Sequence, residues 1–229
     1  MVIRDWSSDV CSSDLLGSCA KCKPFAETHG KHALFLKHIA PVLERVKSKG
    51  LRAQVWDDMM RHWPVDALKT IRDQAELVVW RYGSDIETGL PSDLWQRYSD
   101  AGLTLWGASA FKGADGVDAL WPNYGERTAN HIAWAARAAK TTLAGVILTG
   151  WSRYSHFTCL CETMPVGMPT MAVSLAILKA GANTRKLYDE TMAKIGLPSI
   201  APSLSTIENA EPPECRVPSK GAPQRLGKP

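Results

Sequence analysis

Four short apolar segments alternate with segments of helical periodicity, and this alternation restricts the fold more than any other feature of the sequence. The apolar segments are residues 51–56, 76–82, 103–108 and 145–150. The second contains the unbroken run Leu-Val-Val-Trp, which is typical of a strand buried on both faces. Strands separated by helices predict an α/β fold with a parallel sheet and right-handed crossovers.

Helices are predicted around these strands from apolar spacing and from the residues that begin and end them. Pro64 and Pro91 lie near helix starts, and Gly50 and Gly102 lie at helix ends. Four strand–helix units amount to half of a TIM (β/α)8 barrel, and an open doubly wound sheet is the competing architecture. The predicted helices are residues 31–49, 64–73, 91–101, 123–141, 169–180 and 182–195.

Three of the four predicted strands run into a tryptophan, namely Trp56, Trp106 and Trp151. Asp57 and Asp58 follow the first of them, and alternation along a strand predicts that one carboxylate points toward the barrel mouth and the other toward the helices. Barrel enzymes collect their active sites at the carboxyl ends of strands, so this repeated placement favours the barrel.

Composition and charge exclude several classes of partner. The net charge of +4 comes from dispersed residues and forms no basic block, so neither nucleic acid nor a membrane surface is expected as a partner. Six scattered cysteines and the lack of a signal-peptide pattern predict a reduced, cytoplasmic protein. Cys19 and Cys22 form one CxxC pair without a second pair at zinc spacing, so no metal is expected.

The two ends of the chain differ in character from the part between them. Residues 1–15 repeat Ser-Ser-Asp without helical or strand periodicity, and we expect them to be a non-native segment. Residues 199–229 gather prolines without apolar periodicity and are expected to form a disordered tail. The folded domain is therefore expected at residues 16–198.

Three strings in the predicted strand-end regions together resemble the carboxyl-terminal half of the catalytic barrel in glycoside hydrolase family 20, within its hexosaminidase D-like branch. The resemblance extends from about residue 16 to 196, in matching order and spacing. The strings are Val-Trp-Asp-Asp-Met at 55–59, Trp-Gly-Ala-Ser-Ala-Phe-Lys-Gly at 106–113 and Leu-Thr-Gly-Trp-Ser-Arg-Tyr at 148–154.

This resemblance implies a partial (β/α)8 catalytic domain of a retaining exo-β-N-acetylhexosaminidase. The substrate would be a glycoconjugate or oligosaccharide ending in β-linked GalNAc or GlcNAc, and no cofactor is implied. In this family the acetamido oxygen of the substrate attacks the anomeric carbon, an adjacent aspartate orients it, and a glutamate protonates the leaving oxygen. Trp56, Trp106 and Trp151 would supply rigid apolar faces for the sugar.

The sequence departs from the family where the catalytic pair should stand. The Asp-Glu pair of the family lies shortly before the segment matching residues 16–19, and residues 1–15 contain no such dipeptide. We therefore expect the general acid to be absent and the chain to be inactive alone. Ser109 and Phe111 occupy positions where other members carry Tyr and Asp, which affects contacts with the acetamide.

Recognition of the sugar hydroxyls is then assigned to other polar residues. One of Asp57 and Asp58 is expected to bond sugar hydroxyls or the absent Asp-Glu pair, and the other to cap the next segment. Tyr154 and Glu162 are further candidates, with Arg153 and His156 beside them.

Two other functions remain open at this stage. The chain could be a non-catalytic carbohydrate-binding or structural half-barrel, or an unrelated enzyme that uses Asp57 or Asp58 as a base. A half-barrel has unpaired strand edges, so self-association, including a homodimer, is expected.

Overall fold

The computed structural model describes residues 16–115, 119, 121–151, 164–181, 185–194 and 196. The described strands form a single sheet in the order β1-β2-β3-β4. They are β1 (Ala53–Trp56), β2 (Ala75–Trp80), β3 (Leu105–Lys112) and β4 (Gly145–Gly150).

All four strands are parallel. β1 pairs with β2 and β2 with β3 in parallel register. Ala144 N–H donates to the Leu105 carbonyl, and Trp151 N–H donates to the Lys112 carbonyl at the same sequence offset, as parallel pairing of β3 with β4 requires. The predicted order of four strand–helix units in an α/β half-barrel is therefore confirmed.

In the described part of the chain, six α-helices and one 3-10 turn lie between or beside the strands. Helix α1 is kinked at Gly30, whose φ is 83°. The 3-10 turn at Asp58–Met60 follows β1 directly. The helices are α1 (Lys23–Ser48), α2 (Val65–Lys69), α3 (Leu94–Asp100), α4 (Tyr124–Lys140), α5 (Met164–Ala180) and α6 (Arg185–Lys194).

The predicted elements all occur, and the largest error in their bounds concerns helix α1, which begins at Lys23 and not at residue 31. Helix α5 begins five residues earlier than predicted, at Met164, and the end of β3 also differs. The sequence predicted that this strand ends at Ala108, whereas it continues through Ser109 and Phe111 to Lys112. A strand can continue through small residues when both faces of the sheet are covered. Residues 107–112 are all buried here. The predicted tail at 199–229 and the segment 1–15 lie outside the described residues.

The chain divides into two compact units that interleave along the sequence. The first comprises residues 1–81, 87–108 and 138–147, and the second comprises 82–86, 109–137 and 148–229. The core of the first unit contains Leu77 and Val79 of β2 together with Leu68, Ile71 and Leu94, all of them fully buried. A strand buried on both faces is what the apolar run of β2 predicts.

The second unit has a separate apolar cluster between α5 and α6, where Val173, Ile177 and Met192 pack with Tyr124 and Leu187. Among the described helices, none is both long and apolar enough to cross a membrane.

Candidate functional site

Two of the three predicted tryptophans lie at the carboxyl ends of their strands. Trp56 is the last residue of β1, and Trp151 directly follows β4. Trp106 is instead the second residue of β3, so the prediction that it ends its strand was wrong. Tyr154 and Glu162 lie outside the described residues, as do Arg153 and His156.

Pairing register places Trp56 and Trp106 on one face of the sheet. Trp56 pairs with Val78, and Val78 pairs with Trp106, so the three residues form one row across β1, β2 and β3. Paired residues in neighbouring parallel strands lie about 4.8 Å apart, which puts the two tryptophan α-carbons roughly 10 Å apart. Trp80 lies two residues farther along β2 and therefore shares this face. Trp56, Trp80 and Trp106 are all half-buried, so these three residues form a partly exposed aromatic wall on this face.

The indole of Trp106 is held by a buried carboxylate. Its Nε1 donates to Glu76 Oε2 at 2.7 Å, and Arg52 and Gln54 donate to the same carboxylate at 2.8 and 3.4 Å. Gly145 packs against the ring, because an added Cβ would lie 2.7 Å from it. Trp106 therefore has a fixed orientation on the wall.

Asp57 is fully buried and pairs with an arginine. Arg61 donates to both carboxylate oxygens at 2.9 Å in a bidentate pair. Tyr98 Oη donates at 3.2 Å and the Trp80 N–H at 3.4 Å. Burial raises the pKa of the Asp57 carboxyl, and the hydrogen bond from Arg61 opposes that shift.

The structure therefore separates the roles of the two aspartates. Asp57 has no exposed surface and four donors, so it positions Arg61 and is not available to a sugar hydroxyl. Asp58 opens the 3-10 turn and is half-buried, so it is the one of the two that can reach a ligand. Both aspartates follow the end of β1 at Trp56, so the division predicted from strand alternation stays a prediction.

Arg61 was not predicted from the sequence, although it connects Asp57 with Trp80 of the aromatic wall. Its guanidinium carbon lies 4.8 Å from the ring centroid of Trp80, and its Nη2 also donates to the Trp80 carbonyl at 2.9 Å. The spacing of four residues between Asp57 and Arg61 is that of a helical ion pair and could have indicated it. The ring of Trp80 thus lies against a partly buried cation.

Trp151 belongs to the second unit and is 39% exposed. Its ring lies against that of Tyr82, with ring centroids 6.0 Å apart and planes inclined at 58°. Lys112 Nζ donates to the Trp151 carbonyl at 2.7 Å. Tyr82 and Lys112 were also missed as site residues, because neither has a recognisable spacing relative to Trp151.

Helix α4 carries a row of buried polar side chains in the same unit. Arg127 Nε lies 3.1 Å from Asp115 Oδ1, and His131 Nδ1–H donates to the Arg127 carbonyl. The pKa of His131 is lowered to about 4 by burial, and its Nε2 has no hydrogen-bond partner among the described residues. His131 is thus a neutral, buried residue.

The described residues contain no group of three or more His, Cys, Asp or Glu suited to a metal ion. Cys19 and Cys22 are both free thiols. The pKa of Cys19 is lowered by a hydrogen bond from Cys22.

Comparison with known proteins gives two clear relatives. No protein-family model matches the chain. Hexosaminidase D from Bos taurus is 39% identical over 163 residues, which cover 68% of this chain and 47% of that protein. Hexosaminidase D from Homo sapiens is 34% identical over 182 residues, which cover 76% of this chain and 37% of that protein.

The chain therefore spans less than half the length of the curated relatives that it matches. Over the aligned residues, it is a hexosaminidase D-like protein.

Proposed function

We propose that this chain is the sugar-binding part of a retaining exo-β-N-acetylhexosaminidase of glycoside hydrolase family 20. The similarity to two hexosaminidases D carries the proposal, since it extends over 68% and 76% of the chain. The substrate would be a cytoplasmic glycoconjugate or oligosaccharide with a terminal β-linked GalNAc or GlcNAc.

The partly exposed tryptophans on and beside the strands support this proposal chemically. A pyranose has apolar C–H faces, and a rigid indole offers a large apolar surface at little cost in side-chain entropy. Trp56 and Trp106 lie on one face of the sheet, and the exposed part of Trp151 lies at the end of β4. The half-buried Asp58 would accept hydrogen bonds from sugar hydroxyls.

We propose further that the chain does not hydrolyse its substrate alone. Substrate-assisted hydrolysis needs a carboxylic acid that protonates the leaving oxygen and a carboxylate that orients the acetamide. The one Asp-Glu dipeptide in the sequence, Asp189-Glu190, lies within helix α6 rather than at a strand end. Protonation of the leaving group therefore has no donor in the expected place.

An aryl β-N-acetylhexosaminide assay tests the catalytic part of the proposal. The expected result is no turnover above that of buffer. Turnover that disappears when a carboxylate such as Asp58 is changed to Asn would show that a general acid is present, and would overturn the proposed inactivity.

Titration with N-acetylglucosamine, followed by tryptophan fluorescence, tests the binding part. A saturable change is expected that is lost in Trp151→Ala and kept in Trp95→Ala, a control on helix α3. Saturable binding without turnover would equally fit the alternative function, a non-catalytic carbohydrate-binding module, which the missing Asp-Glu pair favours. No saturable signal would reject both.

We also propose that the isolated chain self-associates. In the described sheet β1 and β4 each have one neighbouring strand, and an unpaired strand edge is a template for pairing with another chain. Sedimentation velocity should show a homodimer or larger species. A monomer at all concentrations would contradict this.

A further inference from the structure

Tyr82 and Trp151 form an aromatic corner in the second unit. Tyr82 lies two residues beyond the end of β2, and Trp151 lies one residue beyond the end of β4. Their ring planes are inclined at 58° with centroids 6.0 Å apart, within the range of favourable aromatic pairs. Both rings retain exposed surface, so the corner can contact a ligand.

The main chain of Trp151 is fixed by Lys112, the last residue of β3. The Trp151 N–H donates to the Lys112 carbonyl at 3.2 Å, and Lys112 Nζ donates to the Trp151 carbonyl at 2.7 Å. The Lys112 residue is only 4% exposed, so its ammonium has left bulk water to make this bond. Burying an ammonium is costly unless it is hydrogen-bonded, and the geometry of the bond is therefore tightly constrained.

Gly113 makes this close approach possible. Its φ is +78°, and a Cβ at this position would lie 2.3 Å from the Trp151 carbonyl oxygen. Any other residue would therefore meet both backbone strain and a direct clash. The backbone of Trp151 is held while 39% of the residue stays exposed.

The segment that carries Tyr82 is held independently by helix α4. Asn130, which is fully buried, donates from Nδ2 to the Gly83 carbonyl at 2.7 Å. Glu126 Oε1 accepts from the Ser84 N–H at 2.8 Å. The two residues after Tyr82 are thus bonded to the helix. Separate hydrogen bonds therefore hold the main chain beside each ring of the corner.

We propose that Tyr82 is a second sugar-contacting residue, and that its ring and the Trp151 indole together clamp the apolar face of an N-acetylated pyranose. This inference rests on the proposed function and extends it to a residue outside the predicted set. Lys112 and Asn130 are positioning residues, because they hold the backbone that carries each ring.

The test uses the full chain labelled with 5-fluorotryptophan and titrated with N-acetylglucosamine. The Trp151 resonance is assigned by its loss in Trp151→Phe. Trp134, fully buried on α4, supplies an internal control resonance. Trp151→Ala tests the proposed function, Tyr82→Leu removes the second ring, and Tyr82→Phe keeps that ring without its hydroxyl.

In Tyr82→Leu the dissociation constant is expected to rise roughly three- to tenfold, the range set by loss of one aromatic contact. Tyr82→Phe should stay within about twofold of the unmodified chain, since the ring carries the contact. Lys112→Met should broaden or shift the Trp151 resonance while leaving the Trp134 resonance unchanged. That selectivity distinguishes positioning of Trp151 from a general loss of structure.

The possible failures are distinguishable. Binding that Trp151→Ala abolishes but Tyr82→Leu leaves unchanged would overturn the clamp and keep the proposed function. Sugar binding unaffected by Trp151→Ala, or absent from the unmodified chain, would overturn both. A Trp151 resonance that does not change in Lys112→Met would overturn the positioning role of Lys112.

Discussion

Acidification should destabilise the protein through His131. The imidazole is fully buried, and its Nδ1–H donates to the Arg127 carbonyl. A proton added to Nε2 would place a positive charge beside Arg127 without an acceptor among the described residues. Burial therefore lowers the pKa of His131 to about 4, from 6.5 for an exposed imidazole.

The sign and size of the effect follow from proton linkage. Between pH 6.5 and 4 the unfolded chain binds a proton on this residue that the folded chain does not, so the free energy of unfolding falls as the pH falls. At about 1.36 kcal/mol per pKa unit, the full loss below pH 4 is roughly 3 kcal/mol. Between about pH 7.5 and pH 5.0 the same two pKa values give a loss of about 2 kcal/mol.

Urea unfolding at these two pH values, followed by tryptophan fluorescence, measures the effect. The control is His131→Asn, whose amide N–H can replace the Nδ1–H donor and cannot ionise. This variant should lose about 2 kcal/mol less stability than the unmodified chain on acidification. An equal loss in the two proteins would refute the assignment of His131 as a buried neutral imidazole.

Two further predictions use matched pairs of variants, both measured by urea unfolding. Asp57→Asn should cost about 3–5 kcal/mol because it leaves a mostly buried guanidinium without its anion. Glu27→Gln breaks an exposed pair with Lys23 at the same spacing and should cost under about 1 kcal/mol; equal costs would contradict the role given to burial. Gly181→Ala meets only the strain of a φ of +72°, with no atom within 4 Å, and should cost about 1–2 kcal/mol. Gly113→Ala adds a clash with the Trp151 carbonyl and should cost at least about 2 kcal/mol more, so similar values would count against the anchor.

Strand and helix order could be predicted from the sequence because they depend on local pattern. The run Leu-Val-Val-Trp identified β2, and glycines marked helix ends. The end of β3 was predicted too early because residues 107–110, Gly-Ala-Ser-Ala, have weak strand propensity. Residues 107–110 belong to the strand because both faces of the sheet are covered there. Such cover is a property of the packed sheet and not of the local sequence.

The site was predictable only in part, for a related reason. Alternation predicted opposite directions for Asp57 and Asp58, a pattern that holds within a strand, whereas β1 ends at Trp56. It could not show that Trp56 and Trp106 share one row, because the row depends on the register of three strands. Nor could it find Tyr82, whose partner Trp151 is distant in sequence and is brought close by folding alone.

The parallel register of β3 with β4 has a consequence for how this chain tolerates insertions and deletions. Gain or loss of one residue in the connections around α4 would leave both strands in place, since loops absorb small changes in length. Loss of one residue inside β3 would move every later side chain of that strand to the opposite face of the sheet. Lys112 would then point away from the Trp151 carbonyl. A deletion as far as six residues upstream of Lys112 would therefore remove the bond that holds the main chain of Trp151.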